Sequence, residues 1–468
     1  MLTEKSIKEL SEGLSKKEFT SSDIVKECLD NIKKYDSKVN SAISLVDEKT
    51  ILQKAKEIDV KKEKGTLSGI PFVLKDAYIT RGIKTTAASN VLKNYIPQYD
   101  ATVYSKLKRE DSILIGKMNM DAWGHGGSSE NTDFGPVHNP WDLTRVAGGS
   151  SGGPAASIAA RMAIFAIGED TGGSIRNPAA WCNITGLKVT YGRVSRYGSI
   201  AYASSFDTVG PMAKTAEDCA YILEKIAGND PYDGTSSSNS VPEYSKYLNN
   251  SIKGAKIALP IDLLDKGIDV EIKGSLLRSA KKFEELGAEI IEVKMPIFDF
   301  GLAVYYLIAP SETSSNLARY DGIRYGEDRA NFTKETIRRI MIGTYALSAG
   351  YYDAYYRKAQ RARSMFINQY NEILKNCDAI LMPVNPTPPT KIGELIGDPL
   401  QNLLADVFTV TQNPVEVPAL ALPCGFTESG LPIGMQIVGK MFTEETLLNL
   451  GHQYQQVTDW HKKIPEIN

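Results

Sequence analysis

Short apolar runs alternate along the chain with segments that carry an apolar residue every three or four positions. Residues 3–35 show the second pattern and predict two amphipathic helices. Ile24, Val25, Cys28, Leu29 and Ile32 fall on one face of the second helix, which Ser22 or Asp23 is placed to cap. The run from Gly69 to Leu74 predicts a buried strand with Lys75 directly after it, and Ser112–Ile115 predicts another. Small residues from Gly153 to Arg161 read as a helix, Met162–Ile167 as a strand, and Asn139–Arg145 as a poor strand. The second half predicts strands at Ala255–Leu259, Ala288–Val293, Ala379–Met382, Pro418–Leu422 and Gly434–Val438. Helices are expected at Val270–Leu286, Tyr351–Lys375 and Glu444–Gln456, and a surface loop at Asp230–Asn239. Strands and helices alternate throughout, which predicts α/β layers, and no repeat or low-complexity linker divides the chain.

Composition narrows the class. The 468 residues are 42% hydrophobic and 24% charged with a formal charge of −2, ordinary for a soluble globular enzyme and without a basic field for nucleic acid. No apolar run is long enough to span a membrane, and the N-terminus MLTEKSIKEL resembles no secretory or transit signal, so a cytoplasmic location is expected. The five cysteines are widely spaced and form no CxxC, which fits reduced thiols. Only four histidines occur, at 125, 138, 452 and 461, and none has metal-ligand spacing.

Candidate chemistry concentrates between Val146 and Pro178. Two clusters stand there, Gly148-Gly149-Ser150-Ser151-Gly152-Gly153 and Thr171-Gly172-Gly173-Ser174. Such glycine density has a high entropic cost, and it suits backbone N–H groups that must approach a ligand closely. Neither cluster matches a Walker A loop or a dinucleotide fingerprint. GxSxG occurs twice, at Gly148–Gly152 and Gly149–Gly153, but an esterase elbow needs a downstream histidine. His452 and His461, in or beyond a polar C-terminal helix, read as solvated surface residues. SxxK at Ser105–Lys108 and Ser279–Lys282 lacks its companion motifs. What remains is serine chemistry without histidine, for which a neutral lysine could be the base. A lysine pKa of about 10.4 must fall to about 7, roughly 4 kcal/mol, which requires burial or nearby positive charge. Lys75, at the end of an apolar strand, is placed for that, unless it simply enters solvent there. Paired glycines before Ser174 can turn their amides into one concavity, an oxyanion hole.

Taken with the segment Gly69-Ile70-Pro71-Phe72-Val73-Leu74-Lys75-Asp76, the two clusters closely resemble the amidase signature family over nearly the whole chain. Ser150 lies 75 residues after Lys75 and Ser174 a further 24 on, as in that family. The resemblance implies a single α/β/α layered domain with a central mixed β-sheet over residues 1–468, in which N-terminal helices (1–60) pack on a catalytic core (61–468). It also implies Lys75 as base, Ser150 as bridging serine after a cis peptide bond, and Ser174 as the acyl-forming nucleophile. Backbone amides of Thr171, Gly172, Gly173 and Ser174 would form the oxyanion hole, with Ser151 as a structural hydrogen-bonder.

The segments Ser314–Gly326, Gly343–Tyr356 and Tyr191–Gly198 resemble the family's glutamine-hydrolysing branch, found in tRNA-dependent amidotransferases. That branch takes ammonia from glutamine to convert Glu-tRNA(Gln) to Gln-tRNA(Gln), or Asp-tRNA(Asn) to Asn-tRNA(Asn). The implied partners are a B subunit binding tRNA, ATP and Mg, and a small C subunit, in a heterotrimer; no cofactor is implied in this chain. Glutamine requires an Arg for its carboxylate and an acid for its ammonium. The resemblance suggests Arg339, with Arg338 as its rival, and Asp406 for these roles, and Ser128 as a further substrate-binding residue. Two other readings are a free-standing amidase acting on another small amide and a catalytically silent scaffold. Pro154 departs from the family's usual small residue but suits the start of a helix.

Overall fold

Reciprocal capping sets the first two helices. Ser6 accepts from the Glu9 amide and Glu9 returns a bond to the Ser6 amide at the head of Ile7–Lys16. Thr20 and Asp23 do the same for Ser21–Val39. Thr20 is therefore the cap, not Ser22 or Asp23. Asp23 is its partner three residues on, and Ser22 donates to Asp59 at 2.6 Å. The apolar face Ile24, Val25, Cys28, Leu29 and Ile32 is buried as the periodicity requires. The N-terminal segment is tied to the rest of the fold: the Ile7 amide donates to Asp218 (2.7 Å) and Ser21 Oγ to the Gly69 carbonyl (2.8 Å).

The computed structural model describes residues 1–265, 267–323, 326–395 and 399–468. Arg324 and Tyr325, within the Ser314–Gly326 segment, lie outside the described residues. Thirteen strands occur among those described: β1 (Ala42–Leu45), β2 (Pro71–Lys75), β3 (Ile113–Met118), β4 (His138–Asn139), β5 (Asp142–Val146), β6 (Phe165–Asp170), β7 (Thr185–Lys188), β8 (Thr208–Ala213), β9 (Lys256–Pro260), β10 (Glu289–Val293), β11 (Ala379–Pro383), β12 (Ala419–Phe426) and β13 (Pro432–Val438). Eleven form one mixed sheet, in the order β1-β3-β2-β6-β8-β7-β12-β13-β11-β9-β10. β3, β2 and β6 run parallel, as do β11, β9 and β10; β8, β7, β12 and β13 are antiparallel to their neighbours. Helices flank this sheet, so the α/β layering with a mixed centre holds. Its inner strands β2, β3, β6, β7, β8 and β13 are buried on both faces. That explains why β2, β3 and β13 read as continuous apolar runs, whereas β7 and β8 were not anticipated from the sequence.

Several boundaries moved for local reasons. The helix expected at Gly153–Arg161 spans Gly152–Ala159, and Arg161 takes a left-handed φ of 60° that breaks it. The following strand is therefore displaced from Met162–Ile167 to Phe165–Asp170, which puts Glu169 and Asp170 inside it. The stretch from Asn139 is no poor strand. Asn139 Oδ1 accepts from the Trp141 amide (3.0 Å) and turns the chain, so that β4 and β5 pair as a ribbon. The helix expected from Tyr351 begins at Lys358, after a π turn at Asp353–Arg357. Glu444–Gln456 is helical as expected, but it is not polar all round: His452 is buried, and burial lowers its pKa. His461 is half-buried, and burial holds it down to about 4. Neither is a solvated surface histidine. No helix among the described residues is long and apolar enough to cross a membrane.

Candidate active site

Parallel neighbours bring their C-terminal ends to the same edge of a sheet, and β2 and β6 do so here. Phe72 stacks on Phe165 at 5.1 Å and fixes the register, so Lys75 closes β2 beside Glu169 near the end of β6. Lys75 is 0% exposed. Its Nζ donates to Ser150 Oγ at 2.7 Å and lies 3.5 Å from Glu169 Oε2. Burial lowers the lysine's pKa; Glu169, Asp121 and Asp207 pull the other way without reversing it. The direction is the one a lysine base needs.

Ser150 follows Gly149 through a cis peptide bond. A Cβ at Gly149 would lie 2.1 Å from Asp121 Oδ2, so the serine loop packs tightly on that carboxylate. The Ser151 amide donates to the Ser174 carbonyl at 3.1 Å, which ties the two glycine–serine clusters together. Ser151 Oγ donates to the Glu169 carbonyl and accepts from the Glu169 amide, the structural part expected of it. Ser174 is 8% exposed against 1% for Ser150, so of the two it is the one open to a ligand.

The turn that carries Ser174 hangs on one buried ion pair. Asp170 accepts from the amides of Gly173 (2.8 Å) and Ile175 (3.2 Å) and from Arg176 Nη2 (2.9 Å) and Nε (3.0 Å). Arg176 also donates to Gln412, Gln436, Asn413 and the Thr409 carbonyl. Burial pushes Asp170 up, but Arg176 and the Gly173 amide overcome it and hold the carboxyl down to about 2. Its stabilisation is therefore present above the unfolded carboxyl range and lost as pH falls through about 2. Asp170→Asn leaves Arg176 buried without a counter-charge and should cost about 3–5 kcal/mol, read from the denaturant midpoint at neutral pH.

Gly173 has φ +127°, and a Cβ there would lie 2.3 Å from Thr409 Oγ1. At Gly172 it would lie 2.5 Å from the Tyr305 ring. These contacts explain both glycines. The expected oxyanion set needs one correction. The Gly173 amide is committed to Asp170, while those of Thr171, Gly172 and Ser174 are not drawn into that contact. Gly173→Ala should lower turnover by about a hundredfold or more, the scale of a displaced oxyanion donor, with the fold retained by circular dichroism.

A tyrosine wall links this turn to the expected substrate residues. Tyr305 and Tyr306, on the helix Gly301–Asn316, meet edge to face at 4.9 Å. Tyr306 OH donates to Asp406 Oδ2 at 2.8 Å, and Arg339 lies 5.3 Å above the Tyr306 ring. Arg339, in the helix Lys334–Leu347, also donates to Tyr202 OH and to Glu335. Arg338 points outward, with a side chain 34% exposed against 6% for Arg339, so the inward arginine is Arg339. Burial raises Asp406 to about 6, and Tyr306 and Arg339 oppose it. Thr409 joins the two halves: its amide donates to the Asp406 carbonyl and its hydroxyl to the Gly172 carbonyl. The Ser128 amide borders Gly149, and its neighbour Gly127 borders Asp406. A chain of contacts through Thr409 and Gly127 thus links the serine turn to Asp406, Tyr306 and Arg339.

The sequence did not reveal Glu169, Asp121, Asp207, His125, Tyr202 or the Tyr305–Tyr306 pair. Neutral His125, its pKa lowered by burial and by Arg339, bridges Thr313 and Thr336 at 3.2 Å each and meets Tyr202 edge-on. It braces the two helices that carry Tyr306 and Arg339. The one available signal was at Glu169 and Asp170, two acids ending an apolar run; the tyrosines sit in a helix that reads as plain core.

The sequence profile of the amidase family matches residues 23–448. A relative in Oceanobacillus iheyensis, named as the A subunit of glutamyl-tRNA(Gln) amidotransferase, is 46% identical, with 98% of each chain covered. A protein of the same name in Coxiella burnetii is 48% identical over 99% of each. The crystal structure of the glutamyl-tRNA(Gln) amidotransferase A subunit from Thermotoga maritima superposes with a TM-score of 0.87 at 38% identity, covering 100% of this chain and 99% of that one.

Proposed function

The chain belongs to the amidase family, and we propose that it is the glutamine-hydrolysing A subunit of a tRNA-dependent amidotransferase complex. The observation that carries the mechanism is the 2.7 Å contact between a fully buried lysine and Ser150, one loop from the more open Ser174.

Neutral Lys75 takes a proton from Ser150 as Ser150 takes one from Ser174. The Ser174 oxygen attacks the side-chain carbonyl carbon of glutamine. The amides of Thr171, Gly172 and Ser174 hold the oxyanion. The proton returns through Ser150 to the leaving nitrogen, the C–N bond breaks, and ammonia departs. Water then attacks the γ-glutamyl ester by the same relay and releases glutamate. Arg339 holds the substrate carboxylate and Asp406 its ammonium. Ammonia passes to a B subunit that binds tRNA, ATP and Mg and forms Gln-tRNA(Gln), with a small C subunit bracing the pair in a cytoplasmic heterotrimer.

Two measurements test this. Glutamine hydrolysis is assayed with the chain alone and with the B and C subunits; turnover that the partners do not raise would count against the subunit role, and hydrolysis of simple amides in preference to glutamine would favour a free-standing amidase. Arg339→Ala should raise KM for glutamine about a hundredfold, the scale of lost charge-assisted hydrogen bonds, and move kcat far less. Equal losses in kcat and kcat/KM would remove Arg339 from substrate binding.

A further inference from the structure

Hydrolysing glutamine to supply free ammonia creates a proton problem. At neutral pH the balance is RCONH2 + H2O → RCOO⁻ + NH3 + H⁺. Ammonia that is to attack an activated ester must leave unprotonated, so the proton has to leave by another way. The nearest base is Lys75, which is fully buried and whose Nζ contacts Ser150 on one side and Glu169 on the other.

Glu169 leads away from the serines. Its Oε1 accepts from Ser199 Oγ at 2.8 Å, while its Oε2 faces Lys75. Ser199 is half-buried and lines a surface cleft of about 210 Å³, with Arg196 and Asp207 also in its wall. That cleft shares no lining residue with Tyr306, Arg339 or Asp406. We propose that Glu169 and Ser199 form a proton exit that discharges Lys75 into this cleft, so that the proton of each turnover leaves separately from ammonia.

The surrounding charges suit the task. Asp207 accepts from Thr171 Oγ1 (2.7 Å) and from the amides of Tyr202 and Ala203, and burial together with Glu169 raises it to about 7. Arg196, in the cleft wall, opposes that rise. Burial raises Asp121, near Lys75, to about 7. Tyr78, whose hydroxyl donates to the Gly168 carbonyl, has its pKa raised by burial and by Glu169, so it stays neutral. The transfer balances without a further reagent. Deacylation leaves the surplus proton on the new γ-carboxyl group, which gives it back through Ser174 and Ser150 to Lys75. The Lys75 ammonium then gives a proton to Glu169. Ser199 turns its hydroxyl from Glu169 and releases that proton to water in the cleft, and Glu169 passes its own to Ser199 Oγ. Lys75 is then neutral for the next cycle. Glu169 acts here through Lys75 and touches no substrate atom.

This proposal rests on the glutaminase reading, and one experiment separates the two. Glutamate formation by the complex is followed at pH 7 and fixed ionic strength in rising imidazole, for wild type, Glu169→Gln and Ser199→Ala. Wild type should be insensitive to imidazole. Glu169→Gln should lose about a hundredfold in kcat at low buffer, within the range for a lost proton-transfer group, with KM for glutamine unchanged, and should recover as imidazole rises. Ser199→Ala, truncating a half-buried hydroxyl, should show a smaller loss with the same recovery and so tests the route if Glu169→Gln fails to fold. Turnover unchanged in both variants, or reduced without recovery in imidazole, overturns the exit while leaving the glutaminase intact. A wild-type complex that does not hydrolyse glutamine overturns both.

Discussion

Ser174→Ala should reduce glutamine hydrolysis by about 10⁵-fold or more, the scale on which a serine relay fails without its nucleophile. The substitution removes one oxygen from the most open of the three side chains and leaves the Lys75–Ser150 contact in place. Asp170 and Arg176 hold the turn through its backbone and the following helix, not through the Ser174 hydroxyl, so stability should stay within about 0.5 kcal/mol of wild type. Glutamine binding should persist, because Arg339 and Asp406 are untouched. Steady-state kinetics and calorimetric titration with glutamine check the two halves of this expectation. Ser150→Ala should be nearly as severe for turnover, and the double variant little worse than either, because the two serines act as one relay.

Lys75→Ala carries the second largest effect, in activity and stability together. Turnover should fall by about 10⁴-fold, the upper range for a general base. Lys75→Arg should not restore it, because a guanidinium does not give up its proton. Below the pH at which Lys75 loses its proton, this variant, unlike Ser174→Ala, should also lose about 3 kcal/mol of stability, since Glu169, 1% exposed, is left without its cation. In the wild type, kcat/KM should rise with pH as Lys75 loses its proton. Because burial lowers that pKa, the rise should come below the usual lysine range. Urea melts and a pH–rate profile measure these outcomes. A Lys75→Ala chain that melts like wild type would show that the buried ion pair contributes nothing to stability.

The legibility of each residue in the sequence depended on the kind of signal it carried. Lys75, Ser150 and Ser174 stood in spaced motifs; the shortage of usable histidines left room for a lysine base, and the resemblance to the amidase signature family supplied the role of each. Continuous apolar runs marked β2, β3 and β13, because strands buried on both faces leave no alternation to misread, but β7 and β8, which carry Thr, Gly, Lys and Pro, gave no such run. Ends of elements were less legible. Arg161 broke a helix by a backbone angle that no side chain advertises, and that shift hid Glu169 inside β6. The commitment of the Gly173 amide to Asp170 depends on tertiary geometry, as do the choice of Arg339 over Arg338 and the tyrosine wall. Residues 100 or more positions apart meet there, such as Tyr202 with Arg339 and Tyr306 with Asp406. Histidines misled in the opposite sense: His452 lies on the inward face of a helix whose polar residues suggested solvent.

The mechanism stands or falls on whether Ser174 carries the glutamyl group. That is read from the mass of the intact chain, and of its peptides, from the amidotransferase complex quenched in acid during turnover of glutamine. A γ-glutamyl adduct is expected on the peptide containing Ser174, present in wild type and absent in Ser174→Ala. An adduct on any other residue, or steady glutamate production by Ser174→Ala, would refute it.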